Sequence, residues 1–209
     1  MSIDLPLFLS FINVAFVTSI TPGPNNMMVM ASGTAFGIRA TLPHIAGIAL
    51  GFGVMLLAMM LGLGTVLERV PILFDALKWG GVGWLLYMAW QLASPALSRS
   101  PFGVGTSAGG TRTRPMRLLE AALFQWVNPK AWTMAVAITA AYANLAGEVW
   151  QSALIMLVAF SVVAPLCNGI WLLSGRVIGA VLSSEIWGRL AVLLMAGLIV
   201  LSAVLIALS

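Results

Sequence analysis

Charged side chains are scarce in this sequence: Asp, Glu, Lys and Arg make up 8% of its 209 residues. Soluble domains carry about 25% charged residues, so this chain cannot cover a surface that faces water. Hydrophobic residues make up 61% of the chain, and its mean hydropathy is +1.04. This composition excludes a soluble globular domain and predicts an all-α integral membrane protein whose main partner is the lipid bilayer.

Cysteine and histidine are rare too, with a single residue of each, Cys167 and His44. One cysteine excludes an intramolecular disulfide and a thiol–disulfide electron carrier, which needs paired thiols. The apolar runs hold almost none of the clustered ligands that a metal exporter needs, so neither metal nor cofactor is expected. A hydrolase needs a nucleophile with an oriented base, and His44 lies at the edge of an apolar run, so no enzymatic activity is expected. No basic patch with interleaved aromatics indicates nucleic acid.

Long apolar runs dominate what the chain does contain. A helix that crosses a bilayer needs about 20 apolar residues, and six segments qualify, at about 6–36, 41–66, 71–94, 116–142, 149–175 and 187–208. A linker at about 95–115 is rich in Gly, Ser, Thr, Pro and Arg. It divides a single membrane domain, residues 1–209, into a first repeat at about 1–94 and a second at about 116–209.

The first apolar segment is interrupted near its middle by Thr21, Pro22, Gly23, Pro24, Asn25 and Asn26. Proline lacks an N–H and clashes with the preceding turn, so a helix cannot continue through this stretch. In hydrocarbon a break is tolerated only where protein or a wet cavity satisfies the freed backbone groups. Thr21 and Pro22 further predict a restarted helix with a hydroxyl N-cap and proline at its first position. We therefore expect a binding site at this break.

The fourth segment contains a matching break at Asn128, Pro129 and Lys130, again with a polar N-cap candidate before a proline. Each broken segment opens a half of three spans, and an odd number of spans places the halves in opposite orientations. Interrupted segments at corresponding positions indicate an inverted-repeat transporter. The sequence thus predicts six transmembrane helices in two inverted three-helix repeats, with the restarted half-helices meeting near the midplane. Their N-termini would favour a carboxylate there. The alternative is two proline kinks without a ligand.

Basic residues divide unevenly between the two sides that alternating spans create. One side would hold only Arg69 and Lys78. The other would hold Arg39, Arg99, Arg112, Arg114, Arg117, Arg176 and Arg189. Because cytoplasmic loops carry the excess of Lys and Arg, the linker is expected in the cytoplasm and both termini outside it.

The run from Ile20 to Asn26, the following Gly47 and Gly51, and Asn128-Pro129-Lys130 resemble the LysE/RhtB family of amino-acid exporters. The resemblance covers essentially the whole chain, including its length, its six spans and the position of each motif. It implies export of an amino acid or close derivative across the cytoplasmic (inner) membrane of a bacterium. The double asparagine and Asn168-Gly169-Ile170-Trp171 look closer to the cysteine/O-acetylserine exporters than to exporters of basic amino acids.

Lys130 is the sharpest candidate for contact with a substrate, because a lysine inside a span is rare and costly. The dipole at the start of a half-helix disfavours a cation, so an anionic partner such as a substrate carboxylate is expected. The alternatives are a lysine that snorkels or one that pairs with Glu120. Glu120 lies about 15 Å away along a straight helix, so that pairing would require the chain to fold back.

Four asparagines complete the predicted substrate site: Asn25, Asn26, Asn128 and Asn168. A side-chain amide can donate to a carboxylate or accept from an ammonium group. The first three could equally cap freed backbone groups at the breaks. For Asn168, beside a kink expected at Pro165, a hydrogen bond between helices is the alternative.

The sequence therefore predicts a secondary exporter of a small, neutral amino acid or derivative, such as cysteine, O-acetylserine or a compound like homoserine or threonine. The alternatives are a membrane scaffold, which leaves two polar breaks unexplained, and an exporter of another small metabolite on the same fold. Exchange for protons is the usual expectation, with Lys130 and His44 as the candidates to carry the proton. The spacings of Gly47 with Gly51 and of Gly33 with Gly37 predict close helix packing and permit a homodimer.

Overall fold

A computed structural model describes residues 3–97, 114–182 and 185–208. The predicted linker at about 95–115 lies largely outside the described residues, as do Arg99 and Arg112. The described residues are helical apart from turns and one isolated β-bridge between Ile3 and Ala146. The prediction of an all-α chain is confirmed for this part of the protein.

The described residues form α1 (Leu5–Ile20), α2 (Pro24–Phe36), α3 (Ile38–Ala58), α4 (Gly64–Arg69), α5 (Pro71–Leu97), α6 (Leu118–Phe124), α7 (Pro129–Tyr142), α8 (Val149–Leu182) and α9 (Glu185–Leu208). A π-helical turn at Met59–Leu63 joins α3 to α4, and a 3₁₀ turn at Gln125–Val127 follows α6.

Three helical stretches are long and apolar enough to cross a membrane: Ile38–Val66, Val149–Gly175 and Ile186–Leu208. Together α1 and α2 would form a fourth span, bent by 55° at the first break. Both remaining predicted spans do form helix, but α5 is not apolar enough, although its 27 residues are long enough, and the fourth segment is not one continuous helix. Polar residues and glycines dilute the apolar run of α5, and the second break divides α6 from α7.

Glycines let α3 approach α6 closely, as predicted for Gly47 and Gly51. A Cβ at Gly47 would lie 2.2 Å from the Leu118 carbonyl oxygen, and one at Gly51 would lie 2.4 Å from that of Ala122. No side chain fits at such distances, so the absence of a Cβ sets the spacing of these two helices. This glycine face is occupied by the chain itself, so it gives no argument for a homodimer.

The second glycine pair behaves differently from the prediction. A Cβ at Gly33 would lie 2.4 Å from Leu172 Cδ1, so Gly33 does allow α2 to pack against α8. At Gly37, a Cβ would meet nothing within 4 Å. Gly37 instead has φ of 85°, a left-handed conformation that favours glycine and ends α2 where α3 begins. Its predicted packing role is wrong.

A buried aromatic cluster joins the helices that flank the two breaks. Phe11 of α1 lies with its ring centroid 5.5 Å from that of Tyr142 in α7 and 5.9 Å from that of Phe160 in α8. Phe160 in turn meets Phe52 of α3 edge to face, with centroids 4.8 Å apart. This cluster fixes four helices around the polar region described next.

Candidate functional site

The two helix breaks lie in contact, and Lys130 makes the connection. Its Nζ donates to the carbonyl oxygen of Thr21 at 2.5 Å and, more weakly, to that of Pro22 at 3.5 Å. Both carbonyls follow the last residue of α1, where the helix dipole leaves partial negative charge. The prediction that the two breaks lie against each other is confirmed by these contacts. Lys130 has protein partners here, which the sequence did not reveal.

Other side chains satisfy two further carbonyls at the end of α1. The amide nitrogen of Asn26 donates to the Ser19 carbonyl at 3.0 Å, and the indole nitrogen of Trp171 donates to that of Ile20 at 3.0 Å. A buried carbonyl without a partner is costly, so these long-range bonds make the break tolerable. The sequence pattern gives Trp171 no role beyond the family resemblance, and only the fold shows that it donates this hydrogen bond.

The predicted cap of the first restarted helix is wrong. Thr21 is not its N-cap, because α2 begins at Pro24 with Gly23 as the N-cap residue and without a side-chain cap. Thr21 instead closes α1, and its hydroxyl donates back to the Val17 carbonyl. Two prolines flank Gly23, and the helix restarts at the second one. The first amides of α2 are therefore left without a capping side chain.

Contact with Lys130 explains why glycine occupies the N-cap position. A Cβ at Gly23 would lie 2.7 Å from Lys130 Cδ and 3.1 Å from its Nζ. The backbone of Gly23 is extended, with φ of −168°, so its conformation does not itself require glycine. A capping serine or asparagine at this position would require the lysine side chain to move.

The second break follows its prediction. Asn128 is the N-cap of α7, and its Oδ1 accepts from the backbone N–H of Lys130 at 3.1 Å. Pro129 occupies the first turn of the helix, as expected. Gly81 of α5 leaves room for this proline, because a Cβ there would lie 2.1 Å from Pro129 Cβ.

A reciprocal amide pair also ties the two breaks together. The side chain of Asn25 donates to Gln125 Oε1 at 2.8 Å, and Gln125 Nε2 donates to Asn25 Oδ1 at 3.3 Å and to the Ala121 carbonyl at 2.9 Å. Gln125 is fully buried. Sequence analysis missed Gln125, although a glutamine inside an apolar run three residues before Asn128 was a usable signal.

Asn168, on α8, uses only half of its hydrogen-bonding capacity. Its Nδ2 donates to the Ala164 carbonyl of its own helix at 2.8 Å. Its Oδ1 is buried and has no hydrogen-bond partner among the described residues. The alternative of a bond between helices is therefore not what Asn168 forms, and Pro165 lies inside a continuous α8.

One cavity brings most of the predicted site residues together. It encloses about 430 Å³ of empty space, including space open to the outside. Of the predicted site residues, its lining includes Pro24 and the polar residues Asn25, Asn26, Asn128, Lys130 and Asn168. Phe52 and Phe160 form part of its apolar wall. The other predicted site residues, Thr21, Pro22, Gly23 and Pro129, belong to the breaks but do not line the cavity.

Glu120 does not pair with Lys130, so that alternative is wrong. Its carboxylate accepts two hydrogen bonds from the Arg114 guanidinium, at 2.9 and 2.6 Å, and a third from the Arg117 backbone N–H at 3.1 Å. Hydrogen bonding to Glu120 raises the pKa of Arg114. Glu120 therefore organises the start of α6 and takes no part in the cavity.

The remaining titratable candidate lies apart from the cavity. His44 is buried within the described fold, with 1% of its surface exposed, and does not line the cavity. Across residues 3–97, 114–182 and 185–208, no three His, Cys, Asp or Glu side chains are grouped so as to hold a metal ion.

Comparison with known proteins gives a consistent result. The family model described as "LysE type translocator" matches residues 16–209. A protein named "Cysteine/O-acetylserine efflux protein" from Escherichia coli O6:H1 (strain CFT073) is 30% identical over 125 residues, which cover 59% of this chain and 59% of that protein. The protein of the same name from Salmonella typhimurium (strain LT2) is 35% identical over 111 residues, covering 50% and 56%. The matched part thus spans less than two thirds of these relatives' length. No solved structure matches the chain.

Proposed function

The chain belongs to the LysE family of translocators, and on this premise we propose that it exports a small, neutral amino acid or amino-acid derivative from the cytoplasm of a bacterium. The observation that carries the proposal is the cavity between the two breaks, which combines one ammonium group with several side-chain amides. The relatives named as cysteine/O-acetylserine efflux proteins support a substrate of this size.

The substrate carboxylate binds at Lys130 in this proposal. An ammonium group has three donors, and the carbonyls of Thr21 and Pro22 take two of them. The third donor is left for a carboxylate. The start of α2 adds backbone N–H groups that carry no side-chain cap and a favourable dipole.

The lining of the cavity favours a neutral substrate. Its described lining contains one cation, Lys130, and no Asp or Glu. A basic side chain would lie beside Lys130 without a counter-charge, which is costly in a low-dielectric site. Ile48, Phe52, Met134 and Phe160 offer an apolar surface to a small uncharged side chain.

We extend the proposal to six transmembrane helices in two inverted repeats, about 1–94 and 116–209. In such an arrangement α3 corresponds to α8, and α5 corresponds to α9. Each helix packs against its counterpart, as expected for elements near a two-fold axis that relates the halves. Two broken helices whose breaks touch also fit this symmetry.

The proposed orientation places both termini outside the cytoplasm of the inner membrane and the linker within it. Support comes from the excess of arginine on the linker side. Cysteine-accessibility labelling at Ser107 and Ser209, which lie outside the described residues, tests this orientation. Labelling of position 107 from outside intact cells would contradict it.

An efflux screen of an overexpressing strain tests the function. Cells are loaded with a panel of neutral, basic and acidic amino acids, and their release is compared with that of cells carrying an empty vector. We expect faster release of one or more small neutral amino acids and no change for lysine or arginine. Release of basic amino acids alone, or of none of the panel, would refute the proposal.

A further inference from the structure

The carbonyl oxygen of the Asn168 side chain is a buried acceptor that the protein leaves unused. Asn168 is 3% exposed, and its Oδ1 has no hydrogen-bond partner in the described part of the chain. Buried polar atoms in folded proteins are almost always paired. Because the residue that carries this unpaired oxygen lines a cavity, a ligand bound there can supply the missing donor.

The partner of the Asn168 side-chain amide shows which of its two ends is unpaired. The other end lies 2.8 Å from the Ala164 carbonyl oxygen, which can only accept. The nitrogen of Asn168 must therefore face Ala164, and the oxygen is left unpaired. Asn168 cannot improve its bonding by exchanging the two ends of its amide.

The missing partner must be a donor, which excludes an anion at this position. Asn168 lines the same cavity as Lys130, where the proposed function puts the substrate carboxylate. An amino acid carries a second charged group, its protonated amine, that donates hydrogen bonds. A sodium ion fits less well, because hard cations take several oxygen ligands and Asn168 Oδ1 is the only unpaired buried side-chain oxygen among the described residues.

We propose that Asn168 Oδ1 accepts a hydrogen bond from the protonated amine of the exported amino acid, an inference that rests on the proposed function. Asn168 then determines specificity: it selects substrates that carry a free amine beside the carboxylate. Lys130 and Asn168 together orient the substrate, and they leave its side chain to the apolar wall at Phe52 and Phe160. Compounds that lack the amine keep the carboxylate contact but leave Oδ1 unpaired.

Three thiol probes separate the two charged groups: L-cysteine, 3-mercaptopropionate, which lacks the amine, and cysteamine, which lacks the carboxylate. Their uptake into inside-out membrane vesicles is measured for wild type and for Asn168→Leu, which keeps the volume and removes the acceptor. We expect wild type to favour L-cysteine over 3-mercaptopropionate by about tenfold to a hundredfold, the range that one hydrogen bond to a charged group supports. Asn168→Leu should take up L-cysteine more slowly and 3-mercaptopropionate at an unchanged rate, so that the preference is lost.

Two further variants protect the test against a folding defect. Asn168→Asp in its protonated form still donates to the Ala164 carbonyl and keeps an acceptor for the amine, so it should retain the preference for L-cysteine. Ser174→Ala is the matched control, because Ser174 also bonds a carbonyl of α8, at Trp171, but does not line the cavity. Its preference should equal that of wild type.

The outcomes are distinct. An Asn168→Leu protein that still discriminates like wild type overturns the inference, and so does an equal loss for cysteine and 3-mercaptopropionate. A loss that depends on sodium concentration rather than on the amine would assign Oδ1 to a coupling ion and also overturn it. A wild type that transports cysteamine as well as L-cysteine instead contradicts the proposed function itself, because the carboxylate would then contribute nothing to recognition.

Discussion

The two helix breaks share a sequence pattern, but they differ in how their backbone groups are satisfied. At the second break Asn128 caps α7 with its own side chain, within two residues of itself. At the first break α2 has no side-chain cap, and the carbonyls at the end of α1 depend on Asn26, Lys130 and Trp171. The cap of the second break thus comes from the break itself, whereas the first break also needs Lys130 and Trp171, which lie more than 100 residues away in sequence.

One side chain accounts for much of this difference. Lys130 leaves the capped second break and crosses Gly23 to reach the carbonyl of Thr21. By doing so it takes the space that a capping side chain at position 23 would need. The first break therefore keeps open amides at α2, and the second supplies a cation beside them. In the proposed carboxylate site the two breaks thus have different tasks: the first offers uncapped amides and the second offers the cation.

Removing the lysine should have the largest effect. Lys130→Met keeps the apolar stem but deletes charge-assisted hydrogen bonds, each worth about 1.5–3 kcal/mol. We expect efflux of the native amino acid to fall by roughly tenfold to a hundredfold. Lys130→Arg should rescue poorly, because a planar guanidinium is not a compact ammonium and the stem is confined by Gly23.

Lys78→Met is the matched control, since Lys78 lies on α5 over the Trp79 ring and away from the cavity. It should export at the wild-type rate. An amidated substrate should be exported by wild type no better than by Lys130→Met. If Lys130→Met inserts normally and exports at the wild-type rate, the lysine is structural and the carboxylate site is wrong.

Gly23→Ser should show whether the lysine excludes a cap from the first break. In wild type the new Cβ would crowd Lys130, and such overpacking costs about 1–3 kcal/mol. In a Lys130→Ala background the space is free, so the serine should cap α2 and stabilise the protein by about 0.3 kcal/mol, the small margin by which serine exceeds glycine as an N-cap. Thermal unfolding of the two single variants and the double variant in detergent measures this reversal. The same change in both backgrounds would show that Lys130 is not the obstacle.

Asn128→Ala, at the second break, should lower the stability of the protein by a smaller amount. It removes the cap on the Lys130 N–H and should cost about 0.5–2 kcal/mol of stability. Asn128→Ser keeps a capping oxygen and should lose less. The apparent unfolding temperatures of the two variants are compared, and equal losses would mean that the cap contributes nothing.

The amide pair between the breaks should give the smallest effect. A double-mutant cycle with Asn25→Ala and Gln125→Ala should yield a coupling energy of about 0.5–1.5 kcal/mol, because each residue satisfies the other. Asn25→Ala with Ser174→Ala is a reference cycle between residues that share no hydrogen bond, and it should be additive. A coupling near zero for Asn25 with Gln125 would show that their contact does not join the breaks energetically.

Local patterns predicted what depends on neighbouring residues. Asn128 before Pro129 identified the cap of α7, and the spacing of Gly47 and Gly51 identified a close helix contact. The same local rule failed at Thr21, because the helix restarts at Pro24, the second of the two prolines, and not at Pro22. Gln125 was overlooked because its partner Asn25 lies across the fold.

By itself, the sequence determined that this chain is a helical membrane protein with two broken segments, because apolar length and proline act within a few residues. The tertiary structure decided how the two breaks contact each other. Lys130 binds the carbonyls of Thr21 and Pro22, a side chain at position 23 would have to displace Lys130, and Asn168, which lines the cavity, keeps a buried unpaired oxygen. Those outcomes depend on side chains distant in sequence that meet only after the helices pack. A local sequence pattern cannot predict these contacts. Their free energy arises because packing buries the side chains and leaves backbone groups without water.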